Sequence, residues 1–146
     1  MRFFFLVAIL LAGCATVPGP APETKPEPAP STPAAPPAKE NIAIAGLMDS
    51  ARTDATAGNL AGAAASLERA LRIEPRNPRL WQELARVRLK QGQFAQAENV
   101  AARSNSWAAD DKALRAENWR LIAESRRARG DNEGAQAALE QAGPSR

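Results

Sequence analysis

The chain has 146 residues, a net charge of +3, no His and a single Cys. That length allows at most one domain. One Cys cannot close an internal disulfide, and without His partners it makes a poor metal site. Metal-cluster, disulfide-framework and His-base chemistries are therefore disfavoured from the outset. The charge is also too weak to point to nucleic acid in the absence of a concentrated basic patch.

The first residues differ from all that follow. Arg2 and the amino terminus are positive, Phe3 to Leu11 is an uninterrupted apolar run, and small residues come next. This is the order of a secretory signal. The run is shorter than the ~20 apolar residues that a spanning helix needs. It ends Leu11-Ala12-Gly13-Cys14, which resembles the lipobox of bacterial lipoproteins. The resemblance implies that residues 1–13 are removed and that Cys14 carries covalent lipid, with no other cofactor. Two or more acyl chains, at roughly 0.8 kcal/mol per buried methylene, hold a protein stably on a bilayer. Ala15 stands where enterobacterial relatives carry an inner-membrane-retaining Asp. The expected location is thus the cell envelope, on the outer membrane facing the periplasm.

From Ala15 to Lys39, nine of 25 positions are Pro, and most of the rest are Ala, Thr, Glu and Lys. Proline removes backbone donors, and nothing in this stretch can bury a core. Residues 14–40 are expected to form a disordered tether rich in polyproline II, with a contour on the order of 80 Å at ~3.1 Å per residue. Two roles stay open for it: a spacer, or a proline-motif ligand for an aromatic groove.

Beyond Glu40 the chain turns rich in Ala, Leu, Arg and Glu, which are strong helix formers. Only Pro75, Pro78 and Pro144 remain, and charge is mixed, with 16 Lys or Arg against 13 Asp or Glu from Asn41 onward. A period is visible. Gly58 and Gly92 are 34 residues apart and Gly130 follows after 38. Aligning the three glycines brings Leu47, Trp81 and Trp119 into register. Ala51, Ala85 and Ala123 fall together four residues later, and Ala63, Ala97 and Ala135 five residues after each Gly.

This pattern resembles the tetratricopeptide repeat, a 34-residue unit of two antiparallel helices. The resemblance implies an all-α domain over 41–146. About three repeats (about 44–77, 78–111 and 116–146) supply six helices in a short right-handed α-solenoid. The small Ala positions fit where the two helices of a unit come closest. The glycines suit a left-handed helix end, with Asn59 and Asp131 starting the next helix and Asn77 capping one that opens at Pro78. Leu47, Trp81 and Trp119 are expected between units, where stacking creates the core. Trp107, outside the signature, is expected between the second and third units.

The sequence also departs from the family. Asp54, Arg88 and Arg126 replace its usual Tyr and Ala109 replaces the second closing Pro, and the family's usual extra capping helix is not expected. Four added residues before the third unit amount to one helical turn, so they lengthen its first helix (roughly Asp111 to Arg129) without rotating its apolar face.

Family arrays bind proteins in the concave groove lined by each unit's first helix. Carried onto this chain, the groove positions are Met48 and Arg52, then Arg79, Gln82, Arg86, Leu89 and Lys90, then Glu117, Arg120, Glu124 and Arg127. The basic middle of that set implies a partner segment that is acidic or bears carboxylates. The same arginines read equally well as a solvated face with i,i+4 partners such as Arg120 with Glu124. The resulting expectation is a non-catalytic, membrane-anchored adaptor for envelope proteins, with no nucleic-acid partner. The processes that fit include pilus biogenesis, peptidoglycan synthesis and outer-membrane machinery. The alternative is a structural lipoprotein that self-associates, forming a homodimer through its last helix.

Overall fold

The structure is a computed structural model that describes residues 42–143. The leader, Cys14 and the proline-rich segment lie outside the described residues. Among the described residues there are six helices and no strand: α1 (Ile42–Thr56), α2 (Leu60–Ile73), α3 (Pro78–Lys90), α4 (Phe94–Trp107), α5 (Lys112–Ala128) and α6 (Asn132–Ala142). They pair as the hairpins α1/α2, α3/α4 and α5/α6. Consecutive hairpins pack through α2 with α3 and α4 with α5. None of these helices is long and apolar enough to cross a membrane.

Local chemistry fixes the ends of these helices. Each hairpin turns on a glycine, and Gly92 shows why: its φ is +72°, a conformation that costs an L-residue with a Cβ. The residue after it closes the helix, with the Gln93 N–H donating to the Arg88 carbonyl at 2.9 Å. The same bond recurs from Asn59 to Asp54 at 2.8 Å and from Asp131 to Arg126 at 3.0 Å, so all three first helices end in one Schellman-type geometry. The side chains of Asn59 and Asp131 then accept from the Gly62 and Gly134 N–H groups, Asn77 accepts from Arg79 and Leu80, and Asp111 accepts from Leu114. Gln93 makes no side-chain cap for α4; its Oε1 accepts instead from Arg88 at 3.1 Å.

Alanine dominates the packing. Of the 21 buried hydrophobic residues described, 12 are Ala, so the helices of a hairpin meet at Cβ distance. Ala63, Ala85 and Ala97 are fully buried, and Ala51, Ala123 and Ala135 nearly so. The larger side chains divide into two clusters. One centres on Ile44, Leu67, Leu71, Leu80, Leu84 and Val87, with Leu47 and Trp81 packed against it. The other centres on Leu121, Ile122 and the alanines of α6, with Trp119 and Leu139 packed against it. The Trp81 indole donates to the Pro75 carbonyl at 2.8 Å, and Arg103 lies 5.5 Å over its ring. Trp107 is half-buried beneath Arg76, 5.2 Å from its ring centre. Arg76 lies in the loop between α2 and α3, and the Trp107 indole nitrogen is buried. On α6 the residues Gln136, Glu140 and Gln141 face solvent, while Ala135, Ala138 and Ala142 are buried against the rest of the domain.

The added turn appears in α5, which has 17 residues against 13 in α3. It starts one residue after Asp111 and ends at Ala128. Within it, Asn118 stands where the repeat register puts Leu80 in the second unit. Asn118 is fully buried and donates to Ser104 at 2.7 Å and Asn105 at 2.9 Å, while its carbonyl accepts from Gln82 at 3.0 Å. Ser104 donates in turn to the Pro78 carbonyl at 2.7 Å. This chain of bonds joins α3, α4 and α5. Two of the three residues in the family's Tyr places, Arg88 and Arg126, also bridge units, while Asp54 accepts from Asn59 at 2.9 Å within its own hairpin. Arg88 reaches Glu68 of α2, and Arg126 reaches Glu98 of α4 at 2.8 Å while also donating to the Gly134 carbonyl at 3.1 Å.

Candidate functional site: a groove across the first helices

α1, α3 and α5 converge on a cavity of about 500 Å³. Its floor is apolar: Met48, Ala51 and Ala55 from α1, Leu67 from α2, Val87 and Leu89 from α3, and Leu121 from α5. Three basic and three acidic side chains surround it, namely Arg52, Arg86 and Lys90 against Glu83, Glu117 and Glu124. The groove is thus of both signs rather than basic. The volume is of the order that takes several side chains of a ligand, about 300–1,000 Å³ for drug-sized sites.

The charges differ in how far they are committed. Arg86 donates across the gap between α3 and α5 to Glu117 at 3.2 Å, and Glu117 also accepts from Arg120 at 3.2 Å. Both partners of the Arg86–Glu117 pair are about 40% exposed, so screening leaves it on the order of 1 kcal/mol or less. The Arg86 Nε is buried without a partner. Arg52 meets Asp49 at 3.3 Å on the exposed surface. Lys90, Glu83 and Glu124 form no ion pair or hydrogen bond among the described residues.

Of the expected groove residues, Met48, Arg52, Arg86, Leu89, Lys90, Glu117 and Glu124 line the cavity. Gln82 does not: it is 8% exposed and turned into the Asn118 network, also donating to the Leu114 carbonyl at 3.4 Å. Arg79 lies outside the cavity beside Asp111 at 3.7 Å. Arg120 is held by Glu117, so the anticipated Arg120–Glu124 pair is replaced by an i,i+3 pair. Arg127 is exposed away from the lining. The sequence reading passed over Ala55, Thr56, Leu67, Glu83, Val87 and Leu121. Helical spacing could have found two of them. Glu83, Arg86 and Lys90 fall at i, i+3 and i+7 on one face, as do Glu117, Leu121 and Glu124 at i, i+4 and i+7.

Comparison with known proteins places this geometry. The family model described as tetratricopeptide repeat matches residues 55–118, a stretch running from the end of α1 to the buried Asn118. No curated protein matches the chain. Among solved structures, the globular C-terminal domain of P. aeruginosa LpoP is similar at 45% identity and a TM-score of 0.69, over 70% of this chain and 96% of that one. A likeness at that identity, over nearly all of the solved domain, joins the repeat match to one conclusion: the chain belongs to the tetratricopeptide-repeat family, as a relative of the LpoP C-terminal domain.

Proposed function

We propose that the protein is a non-catalytic adaptor of the bacterial cell envelope, anchored by lipid on Cys14. In this reading it takes up a segment of a partner protein in the groove of its three first helices. The observation that carries the proposal is the cavity of about 500 Å³ where α1, α3 and α5 converge, with an apolar floor and charged margins. An apolar centre inside a polar rim is the make-up of a binding surface, in which the buried centre supplies affinity and the rim supplies selectivity. The LpoP likeness supports a place in the envelope, and the lipobox resemblance supplies the anchor.

Thr56 offers a test that spares the core, because it is exposed and lines the cavity. Thr56→Trp puts an indole into the groove from its margin. The full chain, crosslinked in intact cells and isolated from detergent extracts, should lose its principal envelope partner in this variant, with its helical content unchanged by circular dichroism. Equal recovery by both forms would remove the groove from the account.

A further inference from the structure

The three units share one register, and it carries a charge order across the groove. Arg52, Arg86 and Glu124 occupy the same position of successive units, 34 and 38 residues apart once the added turn of α5 is counted. All three line the cavity. The sign therefore runs positive, positive, negative from α1 to α5. Pairing sharpens the order. Arg86 is engaged by Glu117 at 3.2 Å, while Arg52, which meets Asp49 at 3.3 Å on the exposed surface, is the only charge that α1 brings to the lining. α5 brings only carboxylates, and Glu124 is exposed and without a partner among the described residues. Between them α3 adds both signs, with an exposed ammonium from Lys90 at its last position and a half-buried carboxylate from Glu83. Between the two ends the floor is apolar, with Met48 and Leu89 half-buried and in reach of a ligand. Methionine adapts its shape to what it meets.

We propose that the groove takes a partner segment with an apolar centre, an acidic end and a basic end, and that it fixes the direction in which that segment lies. The acidic end sits toward α1, by Arg52, and the basic end toward α5, by Glu124, with Lys90 of α3 between them. A segment docked in reverse would bring like charges together at both ends, which is how charged margins select orientation. This rests on the adaptor reading above, and it replaces a uniformly acidic ligand with a dipolar one.

The test is selection from a displayed library of random peptides on three immobilised full-length proteins: the wild type, Thr56→Trp, and the triple variant Arg52→Glu/Lys90→Glu/Glu124→Lys. The three charge reversals lie at exposed side chains and leave the Arg86–Glu117 pair intact. Peptides enriched on the wild type and lost on Thr56→Trp should share an apolar centre with acidic and basic residues at opposite ends. On the triple variant the enriched order should invert, and wild-type binders should weaken about tenfold at low salt, less at high salt. Groove-dependent peptides with no charge order, or an order unchanged on the triple variant, would overturn the dipolar ligand and leave the adaptor reading standing. Binders indifferent to Thr56→Trp, or no binders at all, would overturn the groove reading and this inference with it.

Discussion

Asn118 shows how much one side chain can decide in a repeat protein. Three partners satisfy its amide in a fully buried site, and one of them, Ser104, is itself fully buried and bonded to the Pro78 carbonyl. An interior network is worth little while intact and costs heavily once a member is missing, because each orphaned group has already given up water. Asn118→Ala should destabilise the domain by about 2–4 kcal/mol, adding the lost bonds to the small cavity left behind. Thermal unfolding measures this, and a loss under ~0.5 kcal/mol would show the network to be incidental. The sequence could not reveal it. Gln82 sits at a family groove position and Asn118 at a core position, and only packing in three dimensions turns one amide onto the other. The glycines and caps, by contrast, were legible, because their chemistry is local: Gly58, Gly92 and Gly130 all have positive φ, and Asn59, Asn77 and Asp131 all cap.

At the scale of the helix, the alanine stripe sets how close two helices of a hairpin can come. Ala97 is fully buried on α4, in the position shared by Ala63 and Ala135. Ala97→Leu adds three carbons where none fit, so α3 and α4 must separate; the expected cost is about 1–3 kcal/mol, read from urea unfolding. A variant as stable as the wild type would mean that the hairpin has slack its burial does not reveal. The same stripe made the helices readable from sequence, since small residues recur at fixed spacing. The ion pairs of Arg88 with Glu68 and Arg126 with Glu98 were less accessible. Their separations of 20 and 28 residues do not follow the repeat period, because the added turn precedes Arg126 and Glu98 also stands one turn earlier in its helix than Glu68. Ala109, in the place of a closing Pro, has φ +44° and accepts from Arg115, a turn that composition alone does not announce.

At the scale of the molecule, the account joins an anchor to a groove. The leader and Cys14 were read from sequence, and their test is biochemical. Cys14→Ser should release the protein from the membrane fraction while leaving the helical spectrum and unfolding midpoint unchanged, since Cys14 lies outside the helices that carry the core. A Cys14→Ser form that still pellets with membranes after a high-salt wash would contradict the lipid anchor. The groove was only partly legible. Seven of its charged and apolar positions followed from the family pattern, Glu117 and Glu124 among them, but the loss of its basic middle did not, because Glu83 had not been placed on the groove, Arg79 lies outside it and the ties of Arg120 and Arg86 to Glu117 were not foreseen.

The central claim is that the concave face formed by α1, α3 and α5 meets a partner protein. It is tested most directly by photocrosslinking in living cells, with a photoreactive residue placed singly at Thr56, Lys90 and Glu124 in the groove. Exposed control positions are Ala61 and Arg69 on α2 and Gln136 on α6. The account predicts one shared adduct from the three groove positions and its absence from the controls. The same adduct from the controls, with none from the groove, would contradict it.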